Sequence, residues 1–140
     1  SDCKKGFLLD GYPRNINQTR LLNKFLNKNK ITACIYFNID EEECIKRLLA
    51  RRSCPNCKTQ FNLITNPPKQ DNLCDNCKTV LIQRDDDNYK TIKKRIDVYF
   101  AETYQLIKYY KERNIFFSID AKGSIKEIYD KIVSLIDDLS

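Results

Sequence analysis

The sequence predicts an α/β fold with a parallel sheet and a small metal-binding insertion. Three short apolar runs, at residues 6–9, 33–37 and 115–119, alternate with segments whose apolar residues recur at helical spacing. Because the runs are apolar throughout, they predict strands that are covered on both faces by helices. Between the second and third runs stand two Cys-x-x-Cys pairs, which interrupt the alternation and predict the insertion.

The first predicted strand covers residues 6–9 and ends in a loop at residues 10–14, where Gly and Pro stop it. A helix follows in which leucine and phenylalanine recur at helical spacing until Asn29. Asn15 or Asn17 can cap its first turn, because an asparagine side chain accepts a hydrogen bond from a free backbone N–H.

The second predicted strand, residues 33–37, leads to another helix. Asp40 precedes three glutamates at positions 41–43, and acidic residues stabilise the N-terminus of a helix. We expect this helix to carry Arg47 and Arg51, four residues apart, along one side.

A long helix and a third strand are predicted after the insertion. The polar segment 84–88 can cap a helix over about residues 89–113, and the strand at 115–119 follows it. A final helix starts near Ile125. In parallel sheets, ligands bind beyond the carboxyl ends of the strands, so we expect a site that involves residues 10–11 and 120–123.

The four paired cysteines predict a metal site in which every ligand is sulfur. Cys54 and Cys57 are separated from Cys74 and Cys77 by sixteen residues, and the chain contains no histidine. This spacing suits a tetrahedral zinc ion that stabilises structure and takes no part in chemistry. Disulfides and free structural cysteines are the alternatives. If a metal is bound, its removal should unfold residues 53–80 first.

The composition suits one globular domain with a small insertion. Of the 140 residues, 41% are hydrophobic and 31% are charged, and the net charge is +6 at pH 7. A charge this mild does not by itself indicate nucleic-acid binding and fits an enzyme for small anionic substrates equally well. No apolar run is long enough to predict a membrane span. Seven cysteines suit a reducing compartment, for which we expect the cytoplasm, with the mitochondrial matrix as the alternative.

The amino-terminal segment carries no initiator Met and no signal or transit segment. The chain contains no Met at all. We therefore expect these residues to begin inside a longer product.

Five arginines recur beside the predicted hinges and strand ends: Arg14, Arg47, Arg51, Arg84 and Arg95. Planar guanidinium groups can bind phosphate oxygens from several directions. A single arginine is more often an exposed surface residue, and we interpret Arg52 in that way. As a set around the insertion, the five favour a polyphosphate ligand.

Several motifs together resemble one family. They are Asp10-Gly11-Tyr12-Pro13-Arg14 with Gln18, then Arg51-Arg52, Asn66-Pro67-Pro68, Arg84-Asp85-Asp86-Asp87 and Lys94-Arg95. Their order and spacing resemble the adenylate kinases that carry a zinc-binding lid, over essentially the whole chain. The resemblance implies a P-loop NTPase-like core in two parts, residues 1–50 and 85–140, with the lid at residues 51–84.

The resemblance also implies the activity and the residues that serve it. The terminal phosphoryl group of ATP would be transferred reversibly to AMP to give two ADP. The implied AMP site comprises Gly11, Tyr12, Pro13, Arg14, Gln18, Arg84 and Arg95, and the implied ATP site comprises Arg47, Arg51, Gln60, Phe61 and Gly123. The implied catalytic residues are Asp10, Arg51, Arg84 and Arg95, with Asp10 near Mg²⁺ through water. The implied zinc ligands are Cys54, Cys57, Cys74 and Cys77.

One family feature is missing from these residues. The phosphate-binding loop GxxxxGK[ST] is absent, since the only glycines are Gly6, Gly11 and Gly123. The family carries that loop on a first strand that lies between the strands matching residues 6–9 and 33–37. We therefore expect a sheet with a gap and apolar strand edges. We also expect a chain that is inactive alone, marginally stable or completed by another segment, and monomeric when complete.

Three alternative functions remain open. Asn62 and Thr65 replace residues that many relatives place against the donor base, so GTP is the alternative donor. A noncatalytic nucleotide-binding remnant is the second alternative. A zinc-ribbon nucleic-acid-binding module is the third, and the acidic residues 85–87 count against it.

Overall fold

The fold is that of a computed structural model, which describes residue 3, residues 6–27 and residues 30–139. In chain order the elements are α1 (Ile16–Leu26), β1 (Cys34–Asn38), α2 (Glu41–Leu49), β2 (Arg51–Ser53), β3 (Gln60–Asn62), α3 (Tyr89–Glu102), α4 (Tyr104–Lys111), β4 (Phe116–Asp120) and α5 (Ile125–Asp138). Over these described ranges, no helix combines the length and the apolar character that crossing a membrane requires.

The chain forms two compact units. The first unit contains the described residues up to Ile35 together with Asp97–Phe117, and the second contains Tyr36–Ile96 and the described residues from Ser118 onwards. The buried side chains of the first unit include Leu22 of α1 with Leu106 and Tyr110 of α4. In the second unit, a cluster of buried side chains includes Cys54 and Cys74, one from each cysteine pair, with Phe61 and Leu81.

The predicted parallel sheet is confirmed in a small form, because β1 and β4 pair with each other. The Cys34 N–H donates to the Ile115 carbonyl at 2.7 Å, and the Ala121 N–H donates to the Asn38 carbonyl at 2.9 Å. The start of one strand therefore faces the start of the other, which is the parallel arrangement. The prediction that β1 is covered on both faces is wrong, since its side chains are half-buried or exposed. In the described residues this sheet has only two strands, too narrow a surface for helices to cover fully.

The predicted strand at residues 6–9 is also wrong. These residues have no regular secondary structure, and Phe7, Leu8 and Leu9 are 47%, 79% and 43% exposed. A strand needs a neighbouring backbone that accepts and donates its hydrogen bonds. No strand pairs with residues 6–9 among those that the structure describes.

Helix α1 begins as predicted at an asparagine cap, and the cap is Asn15. Its side-chain oxygen accepts the Gln18 N–H at 3.0 Å. The helix ends at Leu26, and Asn27 follows with φ 53°, a left-handed conformation that asparagine tolerates better than most residues. The predicted end at Asn29 lies outside the described residues.

The prediction that Arg47 and Arg51 lie on one helix is wrong. Helix α2 ends at Leu49, and Arg51 begins β2. Strand β2 pairs antiparallel with β3, with Arg51 opposite Asn62. The backbone at Arg51 therefore takes part in a strand ladder, and the two arginines belong to different elements.

The long helix predicted over residues 89–113 is divided in two. Asn88 caps its start as predicted, because its side-chain oxygen accepts the Thr91 N–H at 3.0 Å. The division falls at Thr103, whose hydroxyl donates to the Arg14 carbonyl at 3.0 Å. Threonine is a weak helix former because its branched side chain has restricted rotamers and can bond to backbone groups. Interrupting the helix at this residue therefore costs little free energy.

The final helix, α5, is confirmed, and it begins with reciprocal capping. Ser124 Oγ accepts the Glu127 N–H at 3.3 Å, and Glu127 Oε2 accepts the Ser124 N–H at 2.7 Å. The backbone N–H of Ser124 holds the pKa of Glu127 below its usual value. The two bonds satisfy backbone groups that the first turn otherwise leaves open.

Replacing Ser124 with alanine should destabilise the chain by about 1 kcal/mol, because the first turn of α5 loses one of these two bonds. The measurement is the free energy of unfolding in urea. Ser134→Ala, within the exposed face of the same helix, is the matched control and should change that free energy by less than about 0.5 kcal/mol. Equal effects of both substitutions would contradict the capping role.

Candidate functional site

The four paired cysteines of the second unit converge on one point. Their Sγ atoms all lie within 4.8 Å of one another. The Cys54–Cys77 and Cys57–Cys74 sulfur pairs are 3.4 Å apart, and Cys57 and Cys77 are 3.6 Å apart. Four sulfurs around a tetrahedral metal with bonds of about 2.3 Å lie about 3.8 Å apart, whereas a disulfide joins sulfurs at about 2 Å. The cluster could therefore hold a metal ion, and all four cysteines are free thiols.

Two similar turns build this cluster. In the first, the Cys54 N–H donates to the Thr59 carbonyl and the Lys58 N–H donates to the Cys54 carbonyl, at 2.9 and 3.1 Å. The second turn repeats both bonds with Cys74, Thr79 and Lys78, each at 2.9 Å. Lys58 and Lys78 both have left-handed backbones, with φ of 62° and 58°. Each turn thus brings its two thiols to the same side of the backbone.

Hydroxyl groups and burial affect the four thiols differently. Thr59 Oγ1 lies 3.1 Å from Cys57 Sγ and lowers the pKa of that thiol. The Thr79 hydroxyl, 3.3 Å from Cys77 Sγ, is the main cause that lowers the pKa of Cys77 to about 5. Burial raises the pKa of Cys74 to about 11. Metal ligands must be thiolates, so the two hydroxyl contacts favour the form of Cys57 and Cys77 that binds metal.

Little apolar contact supports this part of the second unit. Phe61 and Leu81 are each 6% exposed and pack with the buried Cys54 and Cys74. Half of this buried cluster is therefore made of metal-ligand candidates.

A cavity of about 440 Å³ lies beside the hairpin of β2 and β3. It is lined by Arg51, Gln60, Phe61, Asn62, Asn66 and Arg84. The Arg51 guanidinium lies 3.6 Å from the carboxylate of Asp87, which is fully buried and has no hydrogen-bond partner among the described residues. Two arginines and several amides make this cavity suitable for an anionic ligand with a polar, planar group.

Asp86 brings Arg84 and Arg95 together. Its carboxylate accepts from Arg84 Nε at 2.9 Å and Nη2 at 2.7 Å, and Arg95 Nη1 lies 3.4 Å away. The hydrogen bond from Arg84 is the main cause that lowers the pKa of Asp86. The negative charge offsets the repulsion between two neighbouring guanidinium groups, so both can stay close without a bound anion.

Arg47 is held by three acceptors within the second unit. Its Nε donates to Glu43 at 2.7 Å, and its two terminal nitrogens donate to the carbonyls of Ala121 and Lys122 at 2.9 and 3.0 Å. The edge of the guanidinium is thus occupied, and its planar faces are the part that could stack on a base. Gly123 follows directly, and a Cβ there would lie 2.8 Å from Glu127 Oε2.

The first unit brings together the predicted residues between Gly11 and Gln18. Gly11 has φ 70°, and its carbonyl accepts from Arg14 Nε at 2.9 Å. The Gln18 side-chain oxygen accepts the Arg14 N–H at 2.7 Å, and the Tyr12 hydroxyl donates to the Gln18 carbonyl at 3.3 Å. The Tyr12–Pro13 peptide is cis. Asp10 is exposed immediately before this loop.

Four residues at these sites are not among the predicted site residues, although the sequence analysis names Asn62 and Asn66 in other connections. Asn66 lines the cavity, and Asn62 shapes it by donating to the Arg47 carbonyl at 2.8 Å and accepting the Ile64 N–H at 3.0 Å. Thr59 and Thr79 are also missed. Their signal is the segment Asn-Cys-Lys-Thr, which occurs in both cysteine turns.

Comparisons with known proteins agree on one family. A family model described as adenylate kinase matches residues 1–115. The chain is 47% identical over 133 residues to an adenylate kinase of Caldanaerobacter subterraneus, covering 94% of this chain and 60% of that protein. It is 42% identical over 137 residues to an adenylate kinase of Fervidobacterium nodosum, covering 96% of this chain and 63% of that protein. It is 43% identical over 139 residues to an adenylate kinase of a Thermoanaerobacter species, covering 98% of this chain and 64% of that protein. The chain thus spans slightly less than two thirds of the length of these relatives.

Proposed function

Because this chain belongs to the adenylate kinase family, we propose that it serves, within a complete protein, the reversible transfer of the terminal phosphoryl group of ATP to AMP. The products are two molecules of ADP. ATP is the proposed donor and AMP the proposed acceptor, and the complete protein acts as a monomer.

The observation that carries the proposal is the grouping of arginines in the second unit. Arg51 and Arg84 line one cavity, and Asp86 joins Arg84 to Arg95. Phosphoryl transfer requires charge neutralisation and in-line positioning more than covalent help from the protein. Guanidinium groups that bind both the phosphoryl group in transfer and the phosphate that receives it would supply that neutralisation.

We assign the donor nucleotide to the cavity beside β2 and β3. Gln60 and Phe61 would contact its base and ribose, and Arg51 would contact its phosphates. The planar faces of the part-buried Arg47 and the backbone at Gly123 would lie against the base. This assignment is supported by the fixed edge of Arg47, which leaves its planar faces for stacking.

We assign AMP to the loop of the first unit. Gly11, Tyr12 and Pro13 would shape the loop, Arg14 would bind the AMP phosphate, and Gln18 would bind the adenine edge. The Gln18 side-chain oxygen already accepts the Arg14 N–H, so its amide N–H groups are available for the base. Asp10 would hold a water of the Mg²⁺ that accompanies the nucleotide, and that ion would neutralise phosphate charge.

Water must be excluded for the transfer to reach AMP. Water that remained near the phosphates would accept the phosphoryl group in place of AMP. We propose that residues 51–84 form a lid that closes over the donor as one body, between core parts at residues 1–50 and 85–140. Zinc held by the four cysteines would stiffen this lid without joining the chemistry, and the sulfur distances support that role.

We further propose that the two-stranded sheet belongs to a P-loop NTPase-like core. In that core, a strand carrying the phosphate-binding loop lies between the stretch at 6–9 and β1. The exposed Phe7, Leu8 and Leu9 support this proposal, because a neighbouring strand would cover them. Thiolate ligands need a reducing compartment, so we place the protein in the cytoplasm or the mitochondrial matrix.

A fusion tests the proposed activity. The amino-terminal part of the Caldanaerobacter subterraneus adenylate kinase that precedes the matched residues is joined to Ser1 of this chain. ADP formation from ATP and AMP is then measured with a coupled assay. We expect turnover by the fusion, because it combines a phosphate-binding loop with the arginines, and none by the 140 residues alone.

Two outcomes contradict parts of this proposal. A folded fusion that forms no ADP, beside an active relative, contradicts the enzymatic role of these residues. If that fusion still binds a two-nucleotide bisubstrate mimic, it acts as a noncatalytic nucleotide binder instead. GTP replacing ATP as the better donor contradicts the donor assignment alone.

A further inference from the structure

A chain of three polar groups crosses the cysteine cluster from one turn to the other. Asn76 Nδ2, in the second turn, lies 3.0 Å from Thr59 Oγ1 in the first. Thr59 Oγ1 lies 3.1 Å from Cys57 Sγ. The two distances place the threonine hydroxyl between an amide and a thiol.

The amide fixes the direction of both hydrogen bonds. An amide N–H can only donate, so the Thr59 oxygen accepts from Asn76. A hydroxyl has a single proton, and its remaining partner here is Cys57. A thiolate that binds metal has no proton of its own, so the Thr59 proton must point at Cys57 Sγ.

The cysteine that receives this bond is the most exposed of the four. Cys54 and Cys74 are 1% and 0% exposed, and Cys77 is half-buried, whereas Cys57 is exposed. Loss of a metal from a four-thiolate site begins when one thiolate dissociates, is protonated or is taken by a chelator. Solvent and chelators reach Cys57 most easily.

We propose that Thr59 and Asn76 act as positioning residues that retain the metal by hydrogen-bonding the thiolate of Cys57. The inference rests on the metal site proposed above and extends it to residues that are not ligands. A hydrogen bond to a thiolate withdraws charge from the sulfur and fixes its orientation, and groups in this second layer commonly change metal affinity by about 10- to 100-fold.

The second turn offers a matched comparison. Thr79 corresponds to Thr59 by sequence, and its Oγ1 lies 3.3 Å from Cys77 Sγ. Among the residues that the structure describes, no side-chain amide donates to the Thr79 hydroxyl; the Asn56 side chain instead hydrogen-bonds Cys77 itself, and Cys77 is less exposed than Cys57. The Thr79 hydroxyl should therefore contribute less to metal retention than the Thr59 hydroxyl.

The test measures metal release from the 140-residue chain. Wild type and variants are loaded with one equivalent of Zn²⁺ and mixed with the coloured chelator 4-(2-pyridylazo)resorcinol, and absorbance gives the release rate. We expect Thr59→Val to release zinc about tenfold faster than wild type. Asn76→Ala should also be faster, Thr79→Val should change the rate less, and Thr59→Ser should restore the wild-type rate because it keeps the hydroxyl.

The absorption spectrum of bound Co²⁺ provides a second measurement, which does not change when only packing is lost. In the Co²⁺-loaded chain, the thiolate-to-cobalt charge-transfer band should shift in Thr59→Val and return in Thr59→Ser, because it reports the charge on sulfur. Wild-type release rates with an unshifted band in Thr59→Val, at full metal content, would overturn the proposed role of Thr59. A wild-type chain that takes up no Zn²⁺ would instead overturn the metal site, and this inference with it.

Discussion

Replacing Arg95 with alanine should lower the turnover of the active fusion by about 10³-fold, within the range that a single transition-state arginine contributes. Arg95 lies 3.4 Å from Asp86, which Arg84 binds more closely through two nitrogens. Removal of Arg95 therefore leaves Asp86 paired. The substitution should therefore remove positive charge near the transferring phosphoryl group, and it should hardly change the stability of the fold.

Two companion variants separate this role from general effects of charge. Arg20, exposed on α1, is the matched control, and Arg20→Ala should leave turnover within about twofold of the unsubstituted fusion. Arg95→Lys keeps the positive charge and loses the planar fork, so its turnover should fall between those of Arg95→Ala and the unsubstituted fusion. Near-normal turnover of Arg95→Ala, with unchanged thermal stability, would refute the proposed contact with phosphate.

The sequence predicted the cysteine cluster well because its geometry is local. Two turns of four residues fix the direction of each thiol pair, and the spacing between them is enough to bring the pairs together. The parallel direction of β1 and β4 is likewise predicted, since unalternating apolar runs separated by helices favour a parallel sheet, but the sequence does not say which strands pair. The helix caps at Asn15 and Asn88 depend on short-range bonds and were found for the same reason.

Predictions that depended on distant partners failed. The run at residues 6–9 reads as a strand, but no backbone in the described residues pairs with it. The spacing of four from Arg47 predicts that Arg51 lies on the same helix. Its backbone pairs with β3 instead, and sequence spacing does not reveal that ladder. The break at Thr103 depends in the same way on a bond to the Arg14 carbonyl.

The sequence predicts a set of arginines for the site but not how they are held. Asp86 and Asp87 read as part of a polar hinge, and the structure gives each a separate arginine. Ion pairing of this kind depends on side-chain directions that periodicity does not specify. The sequence therefore shows where charged side chains occur, whereas their ion-pair partners follow only from the three-dimensional structure.

Removal of bound metal should unfold residues 53–80 while the rest of the second unit keeps its structure. Structural zinc contributes about 10–16 kcal/mol of apparent binding free energy in small domains, which exceeds the stability of a typical folded segment. Residues 53–80 contain one complete strand, β3, of three residues, and three of the four side chains that they contribute to the buried cluster are cysteines. Segments below about 40 residues seldom build a core large enough to fold without such support.

Hydrogen exchange measured by mass spectrometry, in a reducing buffer before and after chelation, tests this expectation. Amide protection should be lost at Cys54, Cys74 and Lys78, whose backbone N–H groups donate the hydrogen bonds of the turns around the cysteines. Cys54→Ser should reproduce this loss without chelator. Cys3→Ser, which changes an exposed thiol outside the cluster, should not.

The helices of the second unit should keep their protection because their contacts involve no cysteine ligand. Arg47 binds the carbonyls of Ala121 and Lys122, and Lys93 binds Glu41 at 2.6 Å. Removal of the metal leaves these bonds intact. If metal-free protein keeps full protection at residues 54–79, the cysteine cluster is not what holds this segment together. If α2 and α5 lose protection together with the segment, the metal supports the whole unit and the segment does not fold separately.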